Sequence, residues 1–243
     1  MSLLFHKNFS DALTGANGFD SVSASNGTIV QSAGAGLNST SGGVTITATG
    51  SSPSVFGQIS ASLTGKTSFR VAFWVDLENV TIGTDNHFTR LYTHGDANNN
   101  THSNELFLQK LSGVIYLRHI ARNDAGSAIT ENIDLTTDFP QWIELWGKKS
   151  SGPGVADAEA YLYLGGGDYD PLGELVSSLT GWISYTRFED DLQRVGFHQG
   201  QATIGGSLLF DEWSMRDDDE PILFGVSENT SPALLYLRRR RRD

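Results

Sequence analysis

"GFHQGQATIGGSLLFDEWSM", residues 196–215, reads as strand, glycine-rich loop and strand, and it carries two adjacent acids, Asp211 and Glu212. Successive residues of an extended chain point to opposite faces. A regular strand therefore places Asp211 on one face with Leu209, Trp213 and Met215, and turns Glu212 the other way, into solvent. An acid on an apolar face must be paired, hydrogen-bonded or metal-bound, because burying it alone is costly. The two acids are thus expected to serve different surroundings and not one cleft.

The same period-2 rhythm recurs outward from this stretch. In "TSFRVAFWVDL" (67–77), Phe69, Val71, Phe73, Val75 and Leu77 share a face opposite Arg70, Ala72, Trp74 and Asp76. In "QWIELWG" (141–147), Ile143 and Leu145 oppose Trp142, Glu144 and Trp146; in "AEAYLYL" (158–164), Ala158, Ala160, Leu162 and Leu164 oppose Glu159, Tyr161 and Tyr163. Similar runs fall at 2–6, 28–32, 43–49, 54–63, 88–93, 105–111, 113–120, 128–135, 172–178, 192–198 and 207–215, which makes about fourteen short strands separated by Gly/Asn/Ser/Asp turns. Helical periodicity is confined to a weak turn near 187–192. This predicts an all-β, two-sheet antiparallel sandwich, with one domain over 1–219 and a C-terminal tail over 220–243.

The chain has 243 residues, no cysteine and a net charge of −11. It can bury a core without disulfides or a thiolate-bound metal. The negative balance argues against nucleic acid, which demands a basic surface. "MSLLFHKNFSDALTG" lacks a basic n-region, a long apolar run and a small-residue cleavage site, so no signal peptide is expected. No run approaches eighteen apolar residues, so no membrane-spanning helix is expected either. Charge concentrates in "RDDDE" (216–220) and in the run Arg238, Arg239, Arg240, Arg241 and Arg242, which suits docking on an acidic neighbour.

Three stretches in this order, "LLFHKNFSD" (3–11), "DFPQWIELWGKKSSGPGVADAEAYLYLGG" (138–166) and "LQRVGFHQGQATIGGSLLFDEWSMRD" (192–217), resemble the concanavalin A-like jelly roll, in particular laminin G-like domains of bacteria and their viruses. The resemblance implies two antiparallel sheets of six or seven strands. It covers lectins, carbohydrate-binding modules, glucanases, polysaccharide lyases and structural domains, so the fold alone does not choose a function. In several such modules an acid on the last strand holds a structural calcium, a role the resemblance would carry onto Asp211. The alternative is that Asp211 accepts hydrogen bonds from loop amides.

Enzyme signatures are thin. Retaining glycosidases need two carboxyls about 5 Å apart on one face, and no E-x-D-x-x-E strand occurs. "SNELFLQ" (103–109) resembles the lyase branch through Glu105, but has Asn where a basic residue should help. The six histidines are scattered, with only the loop pair His94 and His102 placed to meet. A catalytic role would require turnover that disappears on Glu105→Gln or Glu144→Gln.

The loop "HGDANNNTHSNE" (94–105) carries Asp96, Asn98 and Asn100 in the oxygen-ligand rhythm of calcium loops, but Thr101 replaces the expected glycine and Phe107 the bidentate Glu. Trp142, Trp146, Tyr161 and Tyr163, opposite the aliphatic stripes, are candidates for stacking on sugar, with His94 and Asn98 as polar neighbours; packing or a subunit interface is the competing role. The reading is a non-catalytic, lectin-like structural or surface protein of a virion or extracellular filament. Its expected partners are further subunits and glycans. The alternatives are a soluble carbohydrate-binding module and, behind it, a polysaccharide lyase or glycoside hydrolase.

Overall fold

The computed structural model describes residues 3–10, 12–33, 36–37, 42–95, 102–135, 140–166, 173–189, 191–201, 203–218 and 222. Asp96, Asn98, Asn100 and the five tail arginines lie outside this set. Sixteen strands are found among the described residues: β1 (Leu3–Lys7), β2 (Ser21–Ser25), β3 (Gly27–Ser32), β4 (Gly43–Ala48), β5 (Ser54–Ser60), β6 (Ser68–Asp76), β7 (Val80–Ile82), β8 (Phe88–Gly95), β9 (His102–Leu111), β10 (Val114–Arg122), β11 (Ala128–Asp134), β12 (Gln141–Lys148), β13 (Ala158–Gly166), β14 (Glu174–Trp182), β15 (Leu192–His198) and β16 (Ile204–Arg216). A 3-10 turn at Arg187–Glu189 answers the weak helical signal there.

Every ladder is antiparallel. One sheet has nine strands, ordered β14-β13-β12-β6-β16-β4-β3, with β1 and β7 also pairing to β16. The other has seven, ordered β11-β10-β9-β8-β15-β5-β2. The nine-stranded sheet exceeds the six or seven expected because the thirteen-residue β16 is long enough to serve four partners. The two strands that sequence reading passed over are β2 and β7. β2, "SVSAS", is exposed on both faces and has no apolar stripe to betray it; β7 has three residues.

The core lies between the sheets. Phe69, Val71, Phe73 and Val75 of β6, Ile143 and Leu145 of β12 and Leu162 and Leu164 of β13 all point into it, as their alternation predicts. They meet Leu106 and Leu108 of β9, Leu117 of β10 and Val195 and Phe197 of β15 from the other sheet. Each such side chain contributes about 1.5–3 kcal/mol on burial. The β9–β10 hairpin turns on Ser112 and Gly113, both at positive φ (50° and 85°), a two-residue turn whose twist matches that of its strands.

Candidate functional site

Two faces remain outside this core. On the outer face of the nine-stranded sheet, Trp74 and Trp142 pack at 5.4 Å between ring centroids beneath Leu37 and Ile222. Two buried acids fix this cover. Asp211 Oδ2 accepts the Leu37 amide at 3.1 Å, and Glu144 Oε1 accepts the Ile222 amide at 3.3 Å and the Arg70 guanidinium at 2.6 Å. Burial pushes the Glu144 carboxyl up and Arg70 pulls it back. Ile222, on the tail side of the boundary expected near 219, is therefore part of the packing.

The pleat breaks at the two acids. Phe210 and Trp213 both lie in the core, so two residues sit where regular alternation allows one. Glu212 has φ 52°, and the β6–β16 register shifts between Asp211 and Ser214. This β-bulge corrects two expectations. Asp211 shares its face with Leu209, not with Trp213 and Met215. Glu212 is not solvated: its side chain is 15% exposed and lies 3.4 Å from His6 Nε2. Burial, then the Asp211 charge, raises Glu212 to about 7, while burial lowers His6. Burial thus favours the uncharged form of both groups. His6 Nδ1 lies 2.6 Å from Ser214 Oγ.

Asp211 also accepts its neighbour's amide, from Glu212 N at 2.8 Å. Both of these contacts are backbone N–H donors to the carboxylate. No group of three or more metal-ligating side chains occurs among the described residues.

The sequence-predicted sugar contacts do not form one platform. Trp142 is 1% exposed under its cover. Trp146 and Tyr161 stack at 4.9 Å, half-buried, with the Tyr161 hydroxyl donating to Glu159 at 2.9 Å; Tyr163 lies under Arg70. His94 is a correction. It points inward against Phe69 and Phe188, fully buried, because β8 turns it to the core. It therefore does not meet His102, which meets His198 instead, at 6.3 Å between rings.

That meeting marks the second face, the outer surface of the seven-stranded sheet. Register alone assembles it. Thr93 opposes both Glu105 and Arg194; Arg194 opposes Gln58; Arg90 opposes Phe107 and His198; Glu105 opposes Ile120. Glu105 is fully buried and bridges two arginines, accepting from Arg90 Nε at 2.7 Å and Arg122 Nε at 2.5 Å. Arg194 Nε donates to Gln58 at 3.1 Å and stands over Phe56. Arg90 stands over Phe107, which stacks on Phe88 at 4.8 Å.

Electrostatics set the protonation of the two imidazoles. Burial, opposed by Glu105 and reinforced by the arginines, lowers His102 to about 4. Burial and the charges of Arg194 and Arg90 lower His198 to about 3. Both are neutral at physiological pH. Among the described residues, neither ring nitrogen of His102, nor His198 Nδ1, has a hydrogen-bond partner, although all are buried. Buried polar atoms are nearly always paired, so such orphans call for a ligand or water. The face thus combines three guanidiniums, one carboxylate, two neutral imidazoles and flanking aromatic rings on a chain of net charge −11. Sequence reading singled out Glu105 but sought its basic helper along β9, whereas the helpers come from the neighbouring strands. A search for residues in cross-strand register would have found them.

No family model matches the chain, and no curated protein matches its sequence. Solved structures do. Over 91% of this chain it is similar to the botulinum neurotoxin type G receptor binding domain, at 7% identity and TM-score 0.52, covering 49% of that domain. The chain spans about half the length of the neurotoxin binding domains it matches. It is also similar to the T. cruzi calreticulin globular domain, at 15% identity and TM-score 0.52, covering 89% of this chain and 88% of that one. With the cellulose induced protein Cip1 it shares 13% identity at TM-score 0.56, over 90% and 99% of the two chains. At these identities the likeness is one of fold, and the fold is an all-β, two-sheet antiparallel jelly-roll sandwich.

Proposed function

We propose that this chain is a lectin-like recognition domain that binds a glycan across the outer face of its seven-stranded sheet, and that it serves as a surface protein of an assembled particle or filament. The observation that carries the binding reading is the cluster around Glu105, where cationic and aromatic side chains flank buried imidazole nitrogens that have no partner among the described residues. Sugars need aromatic faces for their C–H surfaces and directed polar groups for their hydroxyls. The neurotoxin neighbours are described as receptor binding domains, which supports a binding role without defining it. The surface role rests on the nearly all-β chain and on the arginine run at 238–242.

The test is a glycan array probed with the full chain and with Arg194→Ala. Binding that is lost or weakened in the variant supports the reading; an empty array defeats it. Assembly is tested separately by sedimentation at high concentration, where a strict monomer defeats the particle role. A second reading, turnover of the bound polysaccharide, draws on the Glu105 carboxylate beside the His102 and His198 rings, although values of about 4 and 3 make both imidazoles poor proton acceptors at neutral pH. New reducing or unsaturated chain ends that vanish on His102→Ala would establish it.

A further inference from the structure

We propose that the ligand of this face is an acidic sugar, gripped through its carboxylate by the outward ends of Arg90 and Arg122, with Glu105 as the buried strut that presents them. This rests on the glycan-binding reading and names its substrate class.

The geometry is specific. Arg90 and Arg122 come from β8 and β10, the strands on either side of β9. Each donates through Nε, to a different oxygen of the same carboxylate. A guanidinium tied at Nε keeps its two terminal amino groups for another acceptor. Those of Arg90 make no hydrogen bond to a described residue; Arg122 spends one on a long contact of 3.4 Å to the Gly126 carbonyl. Both side chains reach solvent, at 15% and 26% exposure, whereas Glu105 does not.

Charge points the same way. One carboxylate between two guanidiniums leaves an uncompensated positive charge, with Arg194 nearby adding to it. Each arginine satisfies one oxygen of the buried carboxylate, and the pair together carries one positive charge more than that carboxylate neutralises. A planar fork of N–H donors matches a carboxylate in two parallel hydrogen bonds. The unpartnered nitrogens of His102 supply directed contacts for neighbouring hydroxyls, and the half-buried Phe88 and Phe56 offer aromatic surface to a pyranose ring.

The experiment titrates the full chain with polygalacturonate, a neutral β-glucan and a sulfated polysaccharide, by calorimetry at low and high salt. Polygalacturonate is expected to bind best and to weaken with salt. Arg90→Gln and Arg122→Gln are each expected to weaken it by about tenfold or more. Arg118→Gln, further along the same face and bonded to Gln109 and Thr130, should change little. Thermal melts check that each variant folds. Should Arg90→Gln fail, Arg90→Lys keeps the charge, loses the fork and should still weaken binding. Equal binding of the neutral glucan, or polygalacturonate binding indifferent to both arginines, overturns the acidic-sugar assignment and leaves glycan recognition standing. Binding of the sulfated polymer alone overturns the carboxylate. Binding of none of the three, together with an empty array, removes the glycan reading itself.

Discussion

Asp211 and Glu212 are adjacent in sequence and opposite in task. Asp211 is a fully buried acceptor of backbone amides, pinning Leu37 over the tryptophan pair. Asp211→Ala removes an acceptor of the Leu37 amide and is expected to cost about 1–3 kcal/mol in urea unfolding; Asp211→Asn, which keeps an acceptor oxygen, should cost less. Melting of the wild type with and without a chelator tests the structural-calcium expectation for Asp211 separately. Glu212 is a pH-sensitive group. Its folded value of about 7 lies above its ordinary 4.5, so the native state holds a proton that the unfolded chain releases. Its contribution is present below pH 4.5 and is lost as pH rises through 7, amounting to at most about 3 kcal/mol. Melting curves of wild type and Glu212→Gln at pH 5 and pH 8 check this: the wild type should lose stability relative to the variant between them.

At the scale of elements, the candidate site is a product of register. The β9–β10 hairpin sets Glu105 opposite Ile120, two residues from Arg122, and the β8–β9 pairing brings Arg90 to the same carboxylate. A slip of one residue in either ladder would turn these side chains into the core. The turn at Ser112 and Gly113 fixes the first of these registers. A Cβ at Gly113 would meet nothing within 4 Å, yet its φ of 85° disfavours other residues. Gly113→Ala is therefore expected to cost only about 1 kcal/mol, by backbone strain. Circular dichroism melts check it, and a much larger loss would mean that the turn is packed against something unseen.

Across the whole molecule, stability depends on groups kept neutral inside and on a cover laid on from outside. His102, His119 and His198 are buried with values of about 4, 3 and 3, against 6.5 when unfolded. Their contribution is full above pH 6.5 and is lost as pH falls toward those values, by about 1.4 kcal/mol per pH unit for each. Acid unfolding should therefore begin below pH 6, and His119→Gln, which removes one of these protonations, should flatten the slope. The cover is tested by chain length. Ending the chain at Asp218 removes Ile222 from Trp74 and Trp142 and should cost about 2–4 kcal/mol with a red-shifted tryptophan emission. Ending it after Ile222 should spare both.

Sequence alone determined the sandwich, because alternation in segments such as 67–77 and 158–164 is a local consequence of the pleat, readable wherever one face is buried and the other is not. It also singled out Asp211 as an acid needing a partner, from the apolar company on its strand. It did not determine which way Glu212 points, since a bulge is a long-range compromise between β16 and the strands pairing with it. Nor did it assemble the cluster at Glu105. Arg90, His102, Arg122, Arg194 and His198 are spread over about a hundred residues and share no motif; only the hydrogen-bonded register of four strands makes them neighbours. Spacing along a chain encodes faces, whereas proximity across a sheet is decided by pairing, and pairing is settled by the tertiary structure.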